Sequence, residues 1–170
     1  CSLLGMVALA VLFPFTQGFN KFALWLLGQS GVGKSYLAKT IANFFGDFSI
    51  STDRSAITWL STANRIEYEG HFFRDALYLA DDYKPEHCRP LDAARVVQSY
   101  ADSAGRSRLN RDSTAKATRE IRGQLLCTGE DLPEASASAL ARSVVIQYPA
   151  ADKNIELGRR CQEMRRNYSG

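Results

Sequence analysis

The residues best placed to do chemistry stand in one run, Gly28-Gln29-Ser30-Gly31-Val32-Gly33-Lys34-Ser35. It fits the spacing Gly-x-x-x-x-Gly-Lys-Ser without a gap. Glycines let a backbone curl until its N–H groups point inward at phosphate oxygens. The helix that follows adds its positive N-terminal end. In such a loop the lysine reaches the β- and γ-phosphates, and the serine hydroxyl is a ligand for Mg²⁺. The pattern therefore predicts a nucleoside triphosphate, ATP, held by Gly28, Gln29, Ser30, Gly31, Val32, Gly33, Lys34, Ser35 and Tyr36.

A phosphate loop also needs an acid on a neighbouring strand to hold the metal. The run Leu77-Tyr-Leu-Ala-Asp81-Asp82 supplies a pair, at the end of an apolar stretch. Asp81 is assigned to Mg²⁺, generally through a water. Asp82 is assigned to orienting or deprotonating the attacking water, which suits hydrolysis. A third group is expected after another apolar run, Gly123-Gln-Leu-Leu-Cys-Thr128. Thr128 there would sense the γ-phosphate or position the water, with Glu130 as second choice. Arg142 lies fourteen residues further on, leading into Ser-Val-Val-Ile. It reads as an arginine finger that neutralises charge on the transferring phosphoryl group, often in a neighbouring subunit, or as one half of a surface salt bridge.

These groups need a scaffold that brings strand ends together. Phe22–Leu27, Asp47–Ser51, Ala76–Ala80, Gly123–Thr128 and Arg142–Tyr148 read as strands. Ser35–Phe45 carries Leu37, Ala38, Ile41, Phe44 and Phe45 at helical spacing, with Gly46 as its stop. Ser2–Phe13, Thr62–Phe73, Leu91–Ala104, Ser136–Ala141 and Asn154–Arg166 also read as helices, and Gly105–Arg122 as a long loop or hairpin. Strands alternating with helices predict an α/β fold with a mostly parallel sheet, in three layers. A leading apolar helix in 1–20, buried on a core of 21–149, and a basic C-terminal helix in 150–170 complete the expected organisation. The chain opens on Cys1 with an apolar run, and is read as a piece of a longer protein.

Composition narrows the class. The chain has 170 residues, 45% hydrophobic and 23% charged, with a net charge of +3, in the range of an ordinary globular domain. Charge is unevenly spread. Between Arg89 and Arg122 there are eight Lys/Arg against four Asp/Glu, and Arg159, Arg160, Arg165 and Arg166 crowd the C-terminus. A local basic excess points to nucleic acid or to a solvated helix face. The four cysteines, Cys1, Cys88, Cys127 and Cys161, form no pair at metal-ligand or disulfide spacing, which suits a reducing, cytoplasmic setting. The apolar run Leu3–Phe15 is shorter than the ~20 residues of a spanning helix and is interrupted by Pro14, so no membrane partner is expected.

The order of these parts resembles the AAA+ ATPases, and in particular superfamily 3 helicases of viruses and plasmids. The nearer likeness is to helicase-like ATPase modules found with primases in phages, plasmids and integrated elements. It rests on Phe22-Ala-Leu-Trp25-Leu, Leu77-Tyr-Leu-Ala-Asp81-Asp82-Tyr83-Lys-Pro85, Ala104-Gly-Arg106-Ser-Arg108-Leu-Asn110 and Thr128-Gly129-Glu130-Asp131-Leu-Pro133, over about residues 1–149. The chain departs from many AAA+ proteins in carrying Asp-Asp rather than Asp-Glu. The resemblance implies a homo-oligomeric ring, a hexamer, that hydrolyses ATP between subunits and moves along nucleic acid, single-stranded DNA, with a primase or replication-initiator domain as associate. It also implies a pore-facing loop between the acidic strand and the threonine strand. Here that interval holds Arg106, Arg108, Arg111, Lys116, Arg119 and Arg122. Such contacts would bind phosphate without sequence preference. Stacking aromatics, common in single-strand grooves, are absent from Gly105–Arg122. Two other functions share the loop: an AAA+ switch that remodels or loads a protein partner, and a P-loop kinase.

Overall fold

Among the described residues, five parallel strands run in the order β2-β3-β4-β1-β5. The computed structural model describes residues 2–15, 20–46, 57–104, 120–133, 137–149, 156 and 160. The strands are β1 (Ala23–Leu27), β2 (Ile57–Thr58), β3 (Leu77–Tyr83), β4 (Gln124–Gly129) and β5 (Ser143–Gln147). The helices are α1 (Ser2–Leu12), α2 (Lys34–Ala42), α3 (Ala63–Gly70), α4 (Pro90–Ala101) and α5 (Ala137–Ala141).

Central strands with both faces covered should read as unbroken apolar runs. β1 does so as Ala-Leu-Trp-Leu-Leu, buried at every position. Its side chains alternate between two cores. Leu24 and Leu26 point to one core with Leu77, Leu79 and Leu126, closed by Met6 and Ala10 of α1 and Ala38 and Ile41 of α2. Ala23, Trp25 and Leu27 point to the other, with Tyr78, Ala80, Leu125 and Cys127, closed by α3, α4 and α5. The result is three layers, helices on both faces of one sheet, as the alternation of elements predicts.

Local chemistry sets several element ends. Thr62 caps α3, its hydroxyl accepting from Arg65 N–H. Pro90 opens α4 at a position where a missing N–H costs nothing. In α1, Met6 and Ala10 face the core while Leu4, Val11 and Leu12 on other sides are exposed. This apolar helix is thus packed by one stripe rather than buried all round. β2 lies at Ile57–Thr58, a two-residue strand that sequence periodicity does not mark. The expected strand at Asp47–Ser51, the basic positions Arg106, Arg108, Arg111, Lys116 and Arg119, and the expected helix at 154–166 lie outside the described residues, save Glu156 and Arg160. An antiparallel bridge, Ala104 to Glu120, marks where the basic interval leaves and rejoins the described chain.

β3 runs further than its apolar stretch, through Asp81 and Asp82 to Tyr83. Ala80 pairs with Cys127 and Tyr83 with Gly129, so three steps on β3 answer two on β4. That is a bulge. It is needed because Ala80 and Tyr83 both point into the α3–α4 core. Strict alternation would put residues three apart on opposite faces. What fixes Tyr83 there is an aromatic box. Trp25 and Trp59 stack at 5.7 Å and 12°, and Tyr83 meets them edge-on at 5.6 and 5.4 Å. All three are fully buried.

Candidate nucleotide site

The glycine run leaves the C-terminal end of β1 and enters α2 directly. Its curl depends on two positive-φ positions, Gly31 at 76° and Gly33 at 103°, where an L side chain would be strained. Gly33 is the N-cap of α2, and Leu37 N–H donates to its carbonyl at 3.0 Å. Gly28 serves a different need. A Cβ there would lie 2.5 Å from the Tyr148 carbonyl oxygen. The loop root is thus pressed between strands, with Gly28 N–H reaching Gly129 O at 3.3 Å and Tyr148 N–H reaching Leu27 O at 2.6 Å.

Lys34 opens α2 and is buried. Its ammonium folds back over the loop, donating to the carbonyls of Gly28 at 2.7 Å and Gln29 at 2.8 Å. A cation held at the loop by carbonyls on one side is ready to meet anionic oxygen on the other. Val32 is buried and anchors the loop, while Gln29, Ser30 and Gly31 are exposed at its crest. Ser35 and Tyr36 sit half-buried in the first turn of α2, and the Tyr36 carbonyl accepts from Thr40 Oγ1 at 2.9 Å.

β4 separates β1 from β3, and it links the loop to the acids. Asp81 is buried and Asp82 exposed. Asp82 is the extra residue of the bulge and has a left-handed backbone, φ 57°. Asp and Asn accept that conformation more readily than most side chains. Its carboxylate turns outward, 3.6 Å from Lys84 Nζ. Thr128 lies inside β4 and is fully buried. Its hydroxyl donates to Asp81 Oδ1 and accepts from Asp82 N–H at 2.9 Å. Thr128 is therefore engaged with both acids from beneath. The exposed polar group at the tip of β4 is Glu130, the second candidate. On the other side, Trp59 N–H donates to the Asp81 carbonyl at 3.0 Å, so β2 and β4 together hold the acidic strand end.

Arg142 is placed elsewhere. Ala23 pairs with Ser143, and Ala23 N–H donates to Arg142 O at 2.8 Å. The arginine therefore sits at the N-terminal edge of the sheet, whereas the glycine loop leaves the C-terminal edge. The five residues of β1 between them span about 16 Å at the usual rise. The Arg142 side chain binds Asp102 and Ser138 within its own chain. The other candidate cation, Arg122, is taken up by Asp75 in a two-pronged ion pair. Asp102 and Lys84 were missed by sequence reasoning. Asp102 is forty residues from its partner, and no local spacing betrays it. Lys84 stands two residues after Asp82, where the spacing offers a signal.

Metal is a test of the donor set. Mg²⁺ takes oxygen ligands and keeps several waters, so one or two protein oxygens beside a triphosphate suffice. Asp81 offers a buried carboxylate, and Ser35 an alcohol at the start of α2. The residues fit the ion. Among the described residues there is no cluster of three or more His, Cys, Asp or Glu for a metal held by protein alone. None of their helices is long and apolar enough to cross a membrane.

The fold is that of a P-loop NTPase. Solved structures carry the likeness. The active helicase Cch of SCCmec type IV superposes with a TM-score of 0.67 at 16% identity, over 95% of this chain and 30% of that one. The JCV helicase gives a TM-score of 0.55 at 16% identity, over 87% of this chain and 39% of that one. The chain thus spans about a third of the helicase chains it resembles. No protein-family model and no curated protein sequence matches it.

Proposed function

We propose that this chain is the ATP-hydrolysing motor of a ring helicase or translocase acting on nucleic acid, of the kind used in replication of mobile elements. One observation carries the reading: the Gly28–Ser35 loop and the Asp81–Asp82 pair emerge at the same end of strands joined through β4, with Thr128 tying the acids down. The likeness of nearly the whole chain to two helicases supports the choice of motor over kinase.

Loop N–H groups and Lys34 would bind the β- and γ-phosphates of ATP. Ser35 and Asp81 would hold Mg²⁺, which when bound neutralises charge on the triphosphate. Asp82, exposed and aimed outward by the bulge, would accept the proton of the attacking water. Thr128 would keep both acids in register rather than read the γ-phosphate from a free tip. Arg142 lies too far from its own loop to touch that loop's nucleotide, which supports action on a second copy in a homo-oligomer, a hexamer by analogy with ring helicases. Arg106, Arg108, Arg111, Lys116 and Arg119 remain the proposed contacts to single-stranded DNA, and a primase or initiator domain the proposed associate.

The test is steady-state ATP hydrolysis with and without single-stranded DNA, at two salt concentrations, in the protein with its natural flanking sequence. Stimulation that fades with salt is expected, because phosphate contacts release counterions. Lys34→Ala should bind no nucleotide. Robust turnover indifferent to DNA would replace the motor with the protein-remodelling switch. Absence of Mg²⁺-dependent turnover would overturn the reading.

A further inference from the structure

Asp102 holds the Arg142 guanidinium by its Nε edge at 3.0 Å, and Ser138 holds Nη1 through its carbonyl at 3.2 Å and its hydroxyl at 2.5 Å. From this we infer that Asp102 is a positioning residue for hydrolysis, one that fixes the plane of the arginine offered to a neighbouring subunit's nucleotide. The inference rests on the arginine-finger reading of Arg142.

The supports of this grip are rigid. Asp102 is the C-cap of α4, its N–H donating to Gln98 O at 2.8 Å. The helix behind it is anchored by Ala93, Val96, Val97 and Tyr100, all buried. Ser138 lies one turn before Arg142, beside the buried Ala139 of α5. Asp102 on Nε–H and Ser138 on Nη1 hold the group from opposite sides, and so set the orientation of a planar group that would otherwise sample many rotamers. These bonds are made by Nε and Nη1, so an incoming anion would be met at Nη2.

Stability is a poor reason for this pair. Its side chains are 36% and 52% exposed, and exposed pairs contribute little. An acid at a helix C-terminus also faces the negative end of the helix dipole. An arrangement this unhelpful to folding is understandable if it sets where the guanidinium points.

The experiment is a double-mutant cycle on ATP turnover in the protein with its natural flanking sequence. Asp102→Ala, Asp102→Asn, Arg142→Ala and the double Asp102→Ala/Arg142→Ala are compared for kcat, KM and Tm. Misplacing a catalytic group slightly costs up to about a hundredfold in rate. Asp102→Ala should therefore lower kcat by roughly ten- to a hundredfold, with KM and Tm unchanged. Asp102→Asn keeps the acceptor oxygen and should recover part of the rate. In the Arg142→Ala background the Asp102 change should have no further effect. An equal loss in that background, a loss that tracks a fall in Tm, or an unchanged kcat where Arg142→Ala is slow would each overturn the inference and leave the finger standing. Wild-type turnover by Arg142→Ala would remove the finger itself, and the inference with it.

Discussion

The Thr128 hydroxyl donates to the Asp81 carboxylate while accepting from Asp82 N–H at 2.9 Å, so one buried atom serves two neighbouring acids with opposite roles. Thr128→Val keeps the shape and removes both bonds. It leaves a buried carboxylate oxygen and a backbone N–H unpaired, at about 1–3 kcal/mol for a group left unsatisfied. For a domain of this size that lowers Tm by several degrees. Thr128→Ser should recover most of it. Because Asp81 loses its orienting donor, the Mg²⁺ concentration for half-maximal turnover should rise in the valine variant. Thermal melts beside a Mg²⁺ titration check both, and an unchanged Mg²⁺ requirement would confine Thr128 to a structural part.

Gly28→Ala tests the close approach at the loop root. The added Cβ would sit 2.5 Å from the Tyr148 carbonyl oxygen, a backbone atom of a residue whose N–H donates to the Leu27 carbonyl. Neither side yields cheaply. Overpacking of this kind costs about 1–3 kcal/mol, and the strain falls on the strand end that launches the phosphate loop. Lower Tm together with weaker binding of a fluorescent ATP analogue is expected. Loss of stability with unaltered nucleotide affinity would mean the loop absorbs no strain.

Asp82 gives a sharper test, because its φ of 57° ranks its replacements. Asn also accepts the left-handed region. Asp82→Asn should therefore leave stability within about 0.5 kcal/mol of wild type, keep nucleotide binding and stop hydrolysis. Glu gains reach but fits the left-handed backbone less well. Asp82→Glu should thus lose both stability and rate, despite the Asp-Glu common in AAA+ proteins. Full turnover in the glutamate variant would show that the bulge does not set the length of the acid.

Much of this layout is legible from residue order alone. β1 is an apolar run followed by Gly28 and β4 a mainly apolar run closing on Thr128-Gly129, and a run buried on both faces needs no partner to be recognised. The loop follows from spacing because its mechanism requires spacing. What stays hidden depends on contacts between distant residues. Ile57–Thr58 is too short to show a period, and becomes a strand only beside Ala80 and Asp81. The bulge at Asp82 exists because Tyr83 is drawn into the Trp25–Trp59 box. Nothing in Asp-Asp-Tyr-Lys announces it. The same holds for Thr128, whose position at a strand end is readable but whose hydroxyl partners lie forty-six and forty-seven positions back along the chain.

Alkaline pH probes the α3–α4 core. Burial pushes the Cys127 thiol well above its ordinary range, and burial likewise raises Tyr100 and Tyr78, the latter helped by the Glu69 carboxylate. The folded chain holds these protons while the unfolded chain releases them, from about pH 8.5 for a cysteine and about pH 10 for a tyrosine. A raised folded-state pKa contributes stability that is complete below the unfolded value and lost as pH climbs above it. Stability should therefore be level near neutrality and fall above about pH 8.5, by up to about 1.4 kcal/mol per pH unit for each group engaged. Urea midpoints at pH 7, 9 and 10.5 measure this. Cys127→Ala or Cys127→Ser separates this thiol from the tyrosines and from Cys88, whose thiol burial also raises, because only the Cys127 share of the loss beginning near pH 8.5 should disappear. If the wild-type midpoint held constant to pH 10.5, these groups would have to ionise within the fold, and the tight closure of this core over β4 would be wrong.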